Sequence, residues 1–421
     1  MKNILLIAAL FISVNLYAQR NLDYYISKSL ENAPSLYELQ SQIPFNNLQY
    51  DFDKAQNSAY QVSLTGNMLF APYFNNGNSI ISTNPNPNAI GYDIGVTNGG
   101  LYSVQLNFQK NIFNAKIMDV LKDKNNLSGK SVLKSIELEE HNLKKTITDL
   151  YLGCLQYLLM YNLSQGNITN LQEQLKATEQ LVSNGFAKTQ DLLMLKIEMQ
   201  NQQMANDELF RNYKSGLLQL NSICGINDTG FIALDTVNLE ITKKIDQSNF
   251  IAKYSIDSLL NVNQQEFFET KYQPQVNVFL NTGLNAVEFA NIQRKLGLSV
   301  GVNFSYPIFD GNQKSIMQQQ SIISGKTIQQ SKHYNENNFL LQRQNEIEKI
   351  KSIKTSLNSI QIQIEDYKRI IAFANNQLYN GNMSMLDYLT LLKNSIELER
   401  NKINAEINYQ LEINNFNYWN W

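Results

Sequence analysis

The chain has 421 residues, with 35 Lys and Arg against 37 Asp and Glu, a net charge of −2 and only 17% charged residues. That balance leaves no basic footprint for nucleic acid, and 2 Cys with 2 His give neither a disulfide framework nor a zinc spacing or His-based catalytic group. No Gly-rich phosphate loop, nucleophile elbow or cofactor motif occurs, so the composition argues against an enzyme and implies no cofactor and no metal.

In chain order, residues 1–18 combine one lysine, an apolar run from Ile4 to Val14 and a small residue at Ala18. This reads as a cleaved secretory signal rather than a membrane-spanning helix. No cysteine lies at the junction, so lipid attachment there is not expected. A first repeat is expected over 19–223, opening with a helix. Val62, Leu64, Met68 and Phe70 then alternate with Gln61, Ser63, Thr65 and Asn67, predicting a strand over about 60–70. A second strand, about 101–110, alternates Tyr102, Val104, Leu106 and Phe108 with Ser103, Gln105, Asn107 and Gln109. Between them lies a loop rich in Asn, Gly and Pro from Asn75 to Asp93.

A long helix is predicted over about 115–182, a polar tip at 184–191, and a return helix through Leu192, Leu195, Met199, Leu209, Tyr213 and Leu220. Residues 224–246 form an intervening segment. The second repeat, 247–421, follows the same plan: a helix, strands about 275–283 and 295–306, a long helix about 311–379, a tip at 380–387 and a return helix.

The duplication is visible in detail. Gly185 and Gly381 lie 196 positions apart, as do Asp191 and Asp387, and NIFNA from Asn111 matches PIFDG from Pro307 at the same offset. In the second long helix Ile350, Ile353, Leu357, Ile360, Ile364, Tyr367, Ile371, Ala374 and Leu378 recur at spacings of 3 and 4, a coiled-coil seam. The same offset gives a weaker seam from Cys154 to Val182. The tip glycines are expected to take positive φ and end the incoming helices. Thr189 or Ser384 is expected to cap the outgoing ones, with Asp191 or Asp387 in the first turn. Antiparallel helices bring Cys154 and Cys224 to similar heights, leaving a disulfide or two packed thiols as alternatives. Trp419 and Trp421 are expected to pack at a helix end.

The strands have the length a tilted strand needs to cross an outer membrane, with one apolar face and one face of small or amide side chains suited to water. Four strands cannot close a barrel, and open edges are not tolerated in lipid. Three copies give twelve strands and a conduit, continued by the helices as a periplasmic tube.

The duplicated strand–strand–hairpin order, the PIFDG junction and the two G-x-x-x-x-x-D turns resemble the outer membrane efflux protein family, the TolC-like channel-tunnels, over essentially the whole mature chain. The resemblance implies a mixed α and β fold: a homotrimer with a twelve-stranded barrel in outer-membrane lipid and a long periplasmic helical tube. It implies an exit duct for efflux or type I secretion, opened at its tips by a periplasmic adaptor and an inner-membrane pump. By resemblance Gly185, Phe186, Ala187, Gly381, Asn382 and Met383 touch the adaptor, and Asp387, Thr390 and Met383 lie at the periplasmic constriction. Thr390 stands where relatives carry a second acidic residue, which favours a partly apolar closure. The segment 224–246 fits an intermediate belt that such channels often carry, with a short strand expected from Phe231 to Leu234. A secreted coiled-coil scaffold or adhesin is the alternative from another class.

Overall fold

The computed structural model describes residues 20–75, 81–83, 87–93, 96–97, 100–243, 245, 248–290 and 292–421. The expected secretory signal lies outside the described residues, as does part of the loop after Asn75. The described chain divides into two compact units, one from residues 20–40, Lys134–Lys253 and Lys332–Trp421, the other from Ser41–Leu133 and Tyr254–Ser331.

The element order is α1 (Leu22–Asn32), α2 (Pro34–Ser58), β1 (Gln61–Phe70), β2 (Tyr73–Phe74), β3 (Ile81–Ser82), β4 (Gly100–Asn111), α3 (Ala115–Ser183), α4 (Thr189–Ile223), α5 (Ala252–Glu269), β5 (Gln275–Ala286), β6 (Leu296–Ser305), α6 (Gln313–Tyr379) and α7 (Met385–Trp419). The four alternating runs are strands, as their periodicity predicts. β5 runs three residues beyond its expected end. The pair β2 and β3, the first just before the Asn-rich loop and the second within it, carries no periodicity that the sequence reveals.

In the second unit the four long strands form one antiparallel sheet in the order β1-β4-β5-β6. Its register places like with like. Leu64 faces Leu106, Phe108 faces both Val62 and Leu280, and Leu280 faces Val300. One row over, Ser63 faces Asn107, Asn107 faces Asn281, and Asn281 faces Ser299. Because side chains alternate between faces, the pairing gathers the apolar residues on one surface and the amides and hydroxyls on the other. The apolar surface is uncovered along both outer strands: Leu64 is 72% exposed, Met68 83% and Leu298 69%. The polar surface has its own packing. Asn107 donates to Thr65 Oγ1 at 2.7 Å, and the Phe279 ring lies against Gly301, where a Cβ would come within 2.4 Å of it. Beyond β6, Asp310 accepts from Tyr272 Oη and from the backbone N–H of Asn312 and Lys314, fixing the start of α6.

In the first unit the predicted seam is buried where it was expected. Ile350, Ile364 and Ala374 are buried and the other seam residues of α6 half-buried, while most of the positions between them face water. In α3 the seam holds except at Tyr157, which is exposed. The part of α3 from Lys134 onward is about 75 Å long at 1.5 Å per residue, and no proline interrupts α3, α4, α6 or α7. The main core gathers Tyr25, Ile147, Tyr151, Leu155, Tyr213 and Leu220, each apolar side chain contributing about 1.5–3 kcal/mol on burial.

Both cysteines belong to this core as free thiols. Cys154 is opposite Gly216, where an added Cβ would lie 3.5 Å from its Sγ, so Cys224 sits eight residues, or about 12 Å, further along the pair. That offset removes the disulfide alternative. Burial raises the Cys154 thiol to about 12 and Cys224 to about 11, and each donates to a backbone carbonyl, of Tyr213 and Tyr25 respectively.

The strand expected from Phe231 to Leu234 is absent. Only a single bridge joins Leu234 to Arg20, because the segment is held by side chains instead of a neighbouring strand. Tyr151 Oη donates to Asp235 O at 2.8 Å and Tyr213 Oη to Ile232 O. Further on, Gln410 and Asn417 accept from the N–H of Leu239 and Thr242, and Asn417 and Asn420 donate to the carbonyls of Glu240 and Lys243. An extended chain is thus bound along α7 by amide side chains that satisfy its backbone.

Trp419 and Trp421 pack as expected at the end of α7. His141 is stacked 4.4 Å from Trp421 and 4.9 Å from Tyr418, and its Nε2 lies 2.9 Å from Tyr418 O. Burial lowers the His141 pKa from its ordinary 6.5. The neutral ring is therefore the folded form, and the unfolded chain takes up the proton first as pH falls. Thermal melts should show stability that is complete above about pH 6.5 and falls below it, and His141→Phe should remove that part of the slope. An unchanged slope in the variant would place the pH dependence elsewhere.

Candidate functional site: the paired hairpin tips

Two helical hairpins, α3–α4 and α6–α7, end in turns built from the same backbone. Gly185 has φ 77° and Gly381 φ 72°. In the first turn Gly185 N–H donates to Val182 O at 3.0 Å and Phe186 N–H to Leu181 O at 2.8 Å. In the second, Gly381 N–H donates to Leu378 O at 3.1 Å and Asn382 N–H to Gln377 O at 2.9 Å. This is the paired-bond helix stop that requires a left-handed residue. A Cβ at either glycine would meet nothing within 4 Å, so the requirement is conformational rather than steric.

The outgoing helices differ. Ser384 caps α7, accepting from Asp387 N–H at 3.1 Å, while its hydroxyl donates to Asp387 Oδ2 at 2.6 Å. The cap of α4 is Lys188, with no side-chain bond, and Thr189 is its first helical residue. The expectation that Thr189 caps the helix is corrected by the repeat itself, since Ser384 aligns with Lys188 at the 196 offset.

The hairpins pack on each other through Leu171, Leu195, Ala374, Met385, Tyr388 and Leu389, with Met383 half-buried against this cluster. Toward the turns a cleft of about 460 Å³ separates them, lined by Phe186, Ala187, Lys188, Asp191, Gly381 and Met383 among others. Of the residues singled out in sequence, Gly185, Phe186, Gly381, Asn382, Asp387 and Thr390 are exposed, Phe186 at 81%. Ala187 and Met383 are half-buried. Thr390 Oγ1 donates to Leu386 O at 2.8 Å, a bond within its own helix.

Sequence reasoning missed an ion pair between the hairpins. Lys393 Nζ on α7 lies 2.8 Å from Glu198 Oε2 on α4, and Gln202 donates to the other oxygen at 3.0 Å. Glu198 is 3% exposed. A signal existed: Leu195, Glu198, Gln202 and Asn206 follow the buried spacing of α4, so three polar residues occupy positions where a seam normally carries apolar ones. Among the described residues no group of His, Cys, Asp and Glu is placed to hold a metal ion.

The chain combines an antiparallel sheet with one uncovered apolar face and duplicated helical hairpins. No family model and no curated protein matches the sequence. Solved structures do match: CusC at 11% identity, covering 95% of this chain and 91% of that one with a TM-score of 0.75. The Campylobacter jejuni CmeC outer membrane channel is 15% identical over 96% and 86% of the two chains, TM-score 0.70. VceC, an outer membrane protein from Vibrio cholerae, is 13% identical over 95% and 96%, TM-score 0.69. The chain has the fold of these channels.

Replacing Gly381 by Val should cost about 1–2 kcal/mol, the penalty of a left-handed conformation with a Cβ, and Ser384→Ala about 1 kcal/mol for the lost cap, both read from urea titrations. Equal stability of Gly381→Val and the parent would contradict the turn geometry. Lys393→Met should cost more than the double variant Lys393→Met/Glu198→Gln, because the single change strands a buried carboxylate; the reverse order would show the pair to be dispensable.

Proposed function

We propose that this chain is the outer-membrane exit duct of a tripartite efflux or type I secretion system, a passive export channel assembled as a homotrimer. The observation that carries the reading is the sheet: four strands of 10 to 12 residues in register, apolar on one face and polar on the other, with β1 and β6 each open along its outer edge among the described residues. Exposed apolar side chains fit lipid, and amide and hydroxyl side chains fit a water-filled bore that discriminates little by charge. Edges that cannot stay open in hydrocarbon fit closure between copies. Three copies give twelve strands, enough for a conduit, whereas two give eight and a bore that side chains fill.

The helical hairpins then extend into the periplasm, with their tips toward the inner membrane. There Gly185, Phe186, Ala187, Gly381, Asn382 and Met383 meet a periplasmic adaptor served by an inner-membrane transporter. Exposed Phe186 beside the apolar part of the cleft is the natural anchor for such a contact. Asp387, Thr390 and Met383 line the constriction, with Asp387 forming one carboxylate ring about the threefold axis. The Ser384–Asp387 bonds support a simultaneous capping role for this carboxylate. Opening separates the hairpins, working against the Lys393–Glu198 link. The chain itself performs no chemical step.

Purified protein reconstituted into a planar bilayer should give discrete conductance steps, and their absence from a well-folded oligomer would sink the duct reading. Asp387→Asn should lower the preference for cations in the same recordings. Unchanged ion selectivity with a small loss of thermal stability would assign Asp387 to helix capping alone.

A further inference from the structure

We infer that the two open edges of the sheet pair with each other between copies of this chain in one register, with Ile308 opposite Val62 of the next copy, Phe304 opposite Gly66 and Val302 opposite Met68. The inference rests on the closed-oligomer reading above and adds to it the residues that meet.

The register follows from the internal repeat. An offset of 196 carries Gln109 of β4 onto Ser305 of β6, and an offset of 214 carries Gln61 of β1 onto Gln275 of β5. Gln61 is paired with Gln109, and Gln275 with Ser305. The two offsets therefore convert one observed pairing into another without a slip. The remaining observed pairing, β4 with β5, joins the end of the first half-sheet to the start of the second: Phe108 faces Leu280, Leu106 faces Thr282, and Ile112 N–H donates to Val276 O at 3.0 Å. Its repeat-related counterpart needs β6 beside a β1, and the chain's own β1 lies at the opposite edge of the sheet. A β1 from another copy supplies it. Carrying β4 forward to β6 and β5 back to β1 yields the pairs stated.

Two features of the chain are consistent with it. The faces match: Val302 with Met68 and Val300 with Phe70 fall on the apolar surface, Ser305 with Thr65 and Asn303 with Asn67 on the polar one. A slip by one residue would exchange the faces. The second feature is the segment after β6. β4 runs on to Asn111, and Ile112 still bonds to β5, but β6 stops at Ser305. Residues 306–309 are left unpaired, with Ile308 93% and Phe309 82% exposed. In the inferred register these four residues fall opposite Gln61 to Leu64, extending β6 and seating Ile308 N–H on Val62 O as Ile112 is seated on Val276. Pro307 does not obstruct the extension. Its counterpart Asn111 is next to the bonded Ile112–Val276 pair, a position whose amide points away from that partner strand, so the missing N–H is one the neighbouring copy never uses.

Cysteine pairs test the register in the full-length protein, purified in detergent and oxidised with copper-phenanthroline. Ser305→Cys with Thr65→Cys corresponds to the Gln109–Phe279 pair, a position of close approach between antiparallel strands with Cα atoms about 4.5 Å apart, within disulfide range. The control pairs, Ser305→Cys with Ser63→Cys and Ser305→Cys with Asn67→Cys, keep the face and shift the register by two. The parent chain, whose own thiols are buried, reports background. The matched pair should give covalent oligomers on a non-reducing gel in several-fold higher yield than either control. Higher yield from a control, or no linkage from any pair while native mass spectrometry shows an oligomer, would overturn the register alone. A monomer by native mass spectrometry in every variant and in the parent would overturn the closed-oligomer reading and the register with it.

Discussion

Backbone N–H and C=O groups must be paired wherever water is absent, and the four-stranded sheet leaves two whole strands with one side unpaired. That constraint organises much of the remaining molecule. It gives the apolar face a reason to be exposed in a single chain, and it gives residues 306–309 a reason to be apolar although no described residue covers them. A soluble sheet would bury its apolar face against a helix. Here the outer-strand residues from Val62 to Phe70 and from Leu296 to Phe304 remain open.

The helical part solves a different problem, that of packing long rods with few charges. Apolar residues at spacings of 3 and 4 supply the seam, and the abundant amides serve the backbone that runs beside the helices. Gln410, Asn417 and Asn420 bond both donors and acceptors of the segment around residues 239–243. Neutral amides do this without the desolvation cost that paired charges would carry. Tyr151 and Tyr213 combine the two tasks, with buried rings in the core and hydroxyls on the carbonyls of Asp235 and Ile232.

At the tips the repeat preserves the stop of the incoming helix and relaxes the start of the outgoing one. Both glycines take the same left-handed turn, whereas only α7 has a side-chain cap. The two hairpins are therefore held together by unlike means at their ends: a shared apolar cluster, and one buried carboxylate answered by a lysine on the other hairpin.

Much of this could be read from the residues alone because it depends on local periodicity. Alternation at period two placed β1, β4, β5 and β6 to within a few residues, spacings of 3 and 4 placed the seams of α3 and α6, and the matched glycines placed both turns. Those signals arise from backbone geometry that repeats along the chain. What the sequence could not decide depends on which helix faces which. The height of Cys224 against Cys154 followed from the true register of α3 on α4, set by Gly216. The Lys393–Glu198 link joins residues that are not repeat-related, so no offset pointed to it. The segment from Phe231 to Leu234, expected as a strand from the resemblance, is instead bound next to α3 and α4 by the hydroxyls of Tyr151 and Tyr213. Local spacing determined the elements and the Ser384 cap; three-dimensional proximity determined the polar contacts between elements.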